Sequence, residues 1–167
     1  MYILKMKIYT SILLVLFCLL PCFGKGKWDV GGKVSIINPN SNPKFKMVAT
    51  AEYLFQKTLS WRTDLELLSD KLDPSAGVDV SIPSNILWYP LSYQSPLSPY
   101  IGPGLGVTLT RSGDFFFGSN VLAGLSLRLK NKKTVGIEVK YGVTDMFSWA
   151  ASDHFEIGLK GNWEMEF

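Results

Sequence analysis

Cysteine is nearly absent: the chain holds Cys18 and Cys22 only, and both fall in an N-terminal stretch expected to be removed. With no thiol left, disulfide frameworks, zinc–thiolate sites and cysteine nucleophiles are excluded from the mature chain. Histidine is scarcer still, because His154 stands alone and cannot build a multi-histidine metal centre. No cofactor is expected. Net charge is also slight: 17 basic residues against 14 acidic ones, with Lys5 and Lys7 in the removable stretch, leave no nucleic-acid footprint. Finally, apolar residues nowhere recur at the 3.6-residue period of a helix beyond the N-terminal stretch, so no substantial helix is expected there.

That stretch has the layout of a secretory signal. Lys5 and Lys7 precede an apolar run from Ile12 to Leu20, followed by Pro21, Cys22, Phe23 and Gly24. The run is roughly half the ~20 residues a spanning helix needs, which disfavours a retained anchor. Pro21 is a poor neighbour for a lipidated Cys22. Cleavage is expected after Gly24, giving a signal peptide over 1–24 and one domain over 25–167.

What is there instead is alternation. Trp28, Val30, Gly32, Val34 and Ile36 share one face opposite Asp29, Gly31, Lys33 and Ser35, and the same period of two recurs along the chain. It predicts strands over about 27–37, 45–56, 58–69, 78–89, 99–110, 115–129, 134–141 and 154–167. Pro83 is expected to mark a bulge or slip in the fourth, since Trp88 and Tyr89 cannot both share a face with Val78, Val80 and Ile82. Residues 90–98 read as a proline-punctuated connection. Eight antiparallel strands without a helix leave a barrel or a sandwich.

The two faces decide which way such a barrel is turned. One carries Glu52, Arg62, Asp64, Glu66, Arg128, Glu138, Lys140, Glu156 and Lys160 in mixed sign, which suits either a polar lumen with paired charges or a solvated surface. The other carries large residues with few breaks, and aromatics gather near strand ends: Trp28, Phe45, Tyr53, Phe55, Trp88, Phe115, Phe117, Tyr141, Phe155 and Phe167. These would overfill a soluble eight-stranded barrel but would fit girdles at two water–lipid boundaries. The expected fold is an all-β, eight-stranded antiparallel up-and-down transmembrane barrel with its charges in the lumen. The glycines Gly102, Gly104 and Gly106 would give room to long charged side chains on neighbouring strands.

Pro99-Tyr100-Ile101-Gly102-Pro103-Gly104-Leu105-Gly106-Val107, Ala123-Gly124-Leu125-Ser126-Leu127-Arg128-Leu129 and the aromatic C-terminus together resemble the small eight-stranded outer-membrane barrels of Gram-negative bacteria, of the opacity-protein and adhesin-barrel type. The resemblance spans 27–167. It implies residence in outer-membrane lipid as a monomer, and a C-terminal signal read by the barrel-assembly machinery. That signal maps to Ile157, Leu159, Trp163, Met165 and Phe167, with Gly161 departing from the pattern.

Several sharper readings compete. A phosphate cradle at Gly102, Gly104 and Gly106 is disfavoured, because strand residues rather than a helix follow the glycines. Ser152, His154 and Glu156 could suggest a lipid A acyl-modifying enzyme, but an extended spacing of ~6–7 Å per step exceeds hydrogen-bond reach. The lumen charges are expected to form a structural plug rather than a transport path, since eight strands leave no open channel. With both termini periplasmic, residues 38–44, 69–77, 111–114 and 142–153 would face away from the cell, short for gripping a large surface ligand, which stays unknown. Lys130, Lys132 and Lys133 read as a solvated periplasmic turn. A secreted, soluble lipocalin-like barrel with a small hydrophobic ligand is the alternative outside the membrane class.

Overall fold

The computed structural model describes residues 27–38, 44–69, 78–144 and 152–166. The expected leader, Phe167 and most of the long connections lie outside the described residues. Eight strands follow in order: β1 Lys27–Ile37, β2 Lys44–Gln56, β3 Leu59–Ser69, β4 Asp79–Trp88, β5 Leu97–Leu109, β6 Phe115–Arg128, β7 Lys133–Thr144 and β8 Ser152–Glu166. Each pairs antiparallel with the next, and β8 returns to β1, so the sheet closes into a barrel. The seam runs unbroken from Lys27 opposite Glu166 to Ile37 opposite Glu156. Closure leaves no sheet edge with unpaired backbone groups, the condition for a sheet to survive in hydrocarbon.

The side-chain period of two then sorts the whole sequence into an inside and an outside. Val34, Met47, Leu105 and Leu159 stand outward and are 59%, 66%, 65% and 67% exposed. Arg62, Asp64 and Glu52 point inward at 0%. This is the reverse of a soluble domain, where large apolar groups are buried and unpaired charges are kept in water. The lipocalin-like reading is therefore corrected: a hydrophobic ligand would find a charged interior rather than an apolar one.

Two local expectations are also corrected. Pro83 causes neither bulge nor slip, because β4 keeps a constant register with β5 from Val80 opposite Leu109 to Trp88 opposite Ile101. The proline lacks a donor, and the β3–β4 ladder simply has no pairing between Thr63–Ser84 and Glu66–Ser81 before it resumes in register. Trp88 shares the outward face with Val80 and Ile82, while Tyr89 turns inward. The register shift in the β2–β3 pair lies at Leu54/Gln56. Strand β7 also runs on to Thr144, beyond the 134–141 expected, so the connection to β8 is shorter than 142–153.

The connections separate the two ends. At one end the chain turns at 57–58, 89–96 and 129–132, beside Lys27 and Glu166. We call this the turn end. The other, here the loop end, carries 38–43, 70–78, 110–114 and 145–151.

Candidate functional site

Among the described residues, chemistry-bearing side chains converge in the lumen, and strand parity brings them there from every side of the barrel. Arg62, on β3, is its centre. Its Nε and Nη2 donate to Asp64 at 2.8 Å each, and its Nη1 and Nη2 donate to Glu138 of β7 at 2.5 and 2.9 Å. A planar guanidinium suits this double fork, which a lysine could not reproduce. Glu138 also accepts from Lys33 Nζ at 2.5 Å and from the Tyr100 hydroxyl at 2.9 Å.

Toward the loop end a second group takes over. Glu156 lies 2.9 Å from Lys33, donates nothing itself, and accepts from Lys46. Lys46 stands 3.0 Å from Glu66, which in turn accepts from Lys140, and Lys140 is 3.6 Å from Glu156. The result is a continuous chain of alternating charges spanning the barrel. Lys160 lies across from it, 4.3 Å from the centre of the Tyr100 ring. Pairing of this kind is what allows charge to be buried at all: an isolated ion would face a desolvation cost of several kcal/mol.

All nine residues predicted for the lumen point inward; Arg128 lies nearest the mouth, where it donates to Glu164. The pattern-based set omitted Asp29, Lys33, Lys46 and Glu164, which are buried on the same face. Strand parity alone would have found them, since each alternates with apolar neighbours. The glycines work differently from the expectation. A Cβ on Gly104 would come within 2.0 Å of the Asn85 side chain, and one on Gly102 within 2.9 Å of Leu87, so β5 clears space for uncharged neighbours on β4. It is Gly158 that accommodates a charged stem, with Lys33 Cδ at 2.9 Å from a Cβ there.

A stopper that sequence reasoning missed closes the turn end. The 89–96 connection folds into the barrel mouth, where Tyr89 and Tyr93 join Tyr100, Leu87 and Leu122 in a buried cluster. Tyr93 meets Tyr89 edge-on at 5.4 Å, and Arg128 sits 5.6 Å over the Tyr93 ring. Each phenol finds a carboxylate: Tyr93 donates to Asp29 at 2.6 Å, and Tyr89 donates to Glu52. Burial first, then the Asp29 carboxylate, pushes the Tyr93 phenol well above its ordinary range, so it stays a donor. The main chain is pinned as well, by Tyr93 N to Lys57 O at 2.7 Å and by Ser98 Oγ to Ser95 O at 2.9 Å.

Toward the loop end lies a cavity of about 310 Å³ lined in part by Lys46, Glu66, Ser81, Thr108 and His154. His154 is half-buried in it, its ring against Gly142, where an added Cβ would meet Cε1 at 2.7 Å. Ser152 opens β8 opposite Thr144. Glu156, two residues past His154 on the same face, is committed to Lys33, Lys46 and Lys140 and forms part of the plug. With its carboxylate held by these lysines, Glu156 serves the plug rather than orienting His154 as a base. Ile157, Leu159, Trp163 and Met165 of β8 all face outward.

No protein-family model matches the chain, and no curated protein does either. Among solved structures it is similar to Neisserial surface protein A, with 17% identity over 84% of this chain and 96% of that one and a TM-score of 0.58. It is also similar to the N-terminal β-barrel domain of Pseudomonas aeruginosa OprF, at 9% identity over 85% and 99% of the two chains, TM-score 0.68. The outer membrane enzyme PagL aligns at 13% identity over 81% and 98%, TM-score 0.52. At such identities the likeness is one of architecture: the chain has the closed, eight-stranded antiparallel barrel fold found in small bacterial outer-membrane proteins.

Proposed function

We propose that the chain is a non-enzymatic, integral outer-membrane barrel with a structural or surface-interaction role, delivered by a signal peptide over 1–24 and inserted as a monomer. The observation that carries this reading is the inversion of the barrel. Its outer wall is apolar around the circumference, with Leu159, Met47 and Leu105 about two-thirds exposed, while Arg62, Asp64 and Glu52 are fully enclosed. Soluble monomers rarely expose contiguous apolar patches beyond a few hundred Å², and lipid is the solvent that makes this wall favourable.

The lumen supports a structural rather than a transport role. Arg62, Lys33, Lys46 and Lys140 are paired with Asp64, Glu138, Glu156 and Glu66 across it, and the tyrosine stopper blocks the turn end. The engagement of Glu156 by three lysines likewise favours a scaffold over acyl chemistry near His154. Refolded protein is expected to stay in detergent or vesicles and to migrate faster on an unheated gel than after boiling. In planar bilayers it should be silent. Full solubility without detergent would remove the membrane reading, and stable ion-selective steps would remove the closed lumen.

A further inference from the structure

Positive charge and indole rings gather at one side of the turn end. Lys130, Lys132 and Lys133 are exposed on the short link between β6 and β7. The Nζ of Lys133 is 5.9 Å from the centre of the Trp163 ring. Alongside, Arg128 and Lys27 both reach Glu164, the latter at 3.3 Å. Against these five cations the adjoining end of β8 brings Glu164 and Glu166. The loop end differs in both respects. Among the described residues its charges, Lys44, Asp79, Arg111, Asp114 and Asp153, are mixed in sign, and its outward aromatics are Phe45, Phe115, Phe117, Tyr141 and Phe155. Trp28, Trp61, Trp88 and Trp163 all stand toward the turn end.

The backbone supplies a second observation. Asn131 and Lys132 have φ of 65° and 59°, the left-handed region. Asparagine tolerates it, and glycine would occupy it without steric cost, but a lysine is strained there. The chain thus holds an unfavourable residue at the turn, between Lys130 and Lys133 in sequence. Strain of this kind belongs where a side chain is wanted for what it meets.

We propose that the Lys130–Lys133 turn, with Trp163 beside it, docks anionic phospholipid headgroups, the phosphodiester anions of the leaflet bordering the turn end. Trp163 is half-exposed on the apolar wall, so the Lys133 amine next to it stands at the height where hydrocarbon gives way to headgroups. Basic residues at that height attract anionic lipid. A soluble polyanion would need cations projecting clear of this boundary. The proposal rests on the membrane reading above.

The test uses the full barrel in phosphatidylcholine vesicles containing a minor share of phosphatidylglycerol, with electron spin resonance comparing spin-labelled forms of the two lipids at the protein surface. Phosphatidylglycerol should be preferred, by roughly fivefold per engaged lysine at low salt, and the preference should collapse at high salt. The triple variant K130Q/K132Q/K133Q should bind both lipids equally. Lys57→Gln, four strands round the barrel, should leave the preference intact. Lys132→Gly relieves the strained backbone, so it should unfold at no lower urea concentration than the parent yet lose part of the preference. An inserted barrel that does not distinguish the lipids, or a triple variant that still does, overturns the docking site alone. A chain that enters no vesicle overturns the membrane reading and this proposal together.

Discussion

Arg62 shows how much of the interior depends on single side chains. It is fully enclosed and satisfies Asp64 and Glu138 with paired hydrogen bonds. Replacing it with methionine would keep much of the volume and leave Asp64 without its fork partner in a water-poor space. Removing one partner of a buried ionic group costs about 3–5 kcal/mol, so Arg62→Met should lower the unfolding free energy by that order in urea titrations of the vesicle-inserted protein. Arg62→Lys should fall between, because an ammonium is a point donor. Parity on β3 made Arg62, Asp64 and Glu66 legible as one face. Their partners were not, because Glu138 stands 76 residues away and no local pattern records a contact across a lumen.

Among elements, the 89–96 connection departs most from what its composition suggests. Its prolines and serines read as a plain turn, and so they are locally, with Ser92 at a φ of 80°. Its inward fold comes from distant groups, Asp29 and Glu52 on β1 and β2, which offer carboxylates to Tyr93 and Tyr89. Tyr93→Phe keeps the ring and removes the donor, and should destabilise the barrel by roughly 1.5–3 kcal/mol at neutral pH, the range for a hydrogen bond to a charged group. The pH dependence has a definite sign. The folded phenol holds its proton beyond the ordinary value of 10.0, so the unfolded chain loses its proton first. The contribution is complete below about pH 10 and declines as pH rises past it. Urea midpoints between neutral and alkaline pH should fall less steeply in Tyr93→Phe than in the parent. The strands themselves were readable because a half-lipid, half-lumen wall imposes alternation on every one. The error at Pro83 came from reading Trp88 and Tyr89 as rivals for one face, when adjacent strand residues point to opposite faces.

At the scale of the whole molecule, β8 presents Ile157, Leu159, Trp163 and Met165 on one outward face, and we propose that together with Phe167 they form the signal read by an assembly factor. Deleting Phe167 is expected to leave the chain in the periplasm as aggregate or protease substrate, measured by fractionation of cells expressing it. Normal insertion of the shortened chain would show that the last residue carries no address. The fold was legible from the sequence because the period, the strand lengths and the turn residues all agree, whereas the stopper and the charge pairing depend on closure and exist only once the ends have met.

That meeting has a temporal consequence. The seam pairs β1 with β8, so the earliest of the eight strands to be synthesised has to wait for the latest before its second edge is covered. Contacts of such long sequence separation make folding slow and leave intermediates with sticky edges. Until β8 reaches β1, each of these two strands keeps one edge open to pairing with other strands.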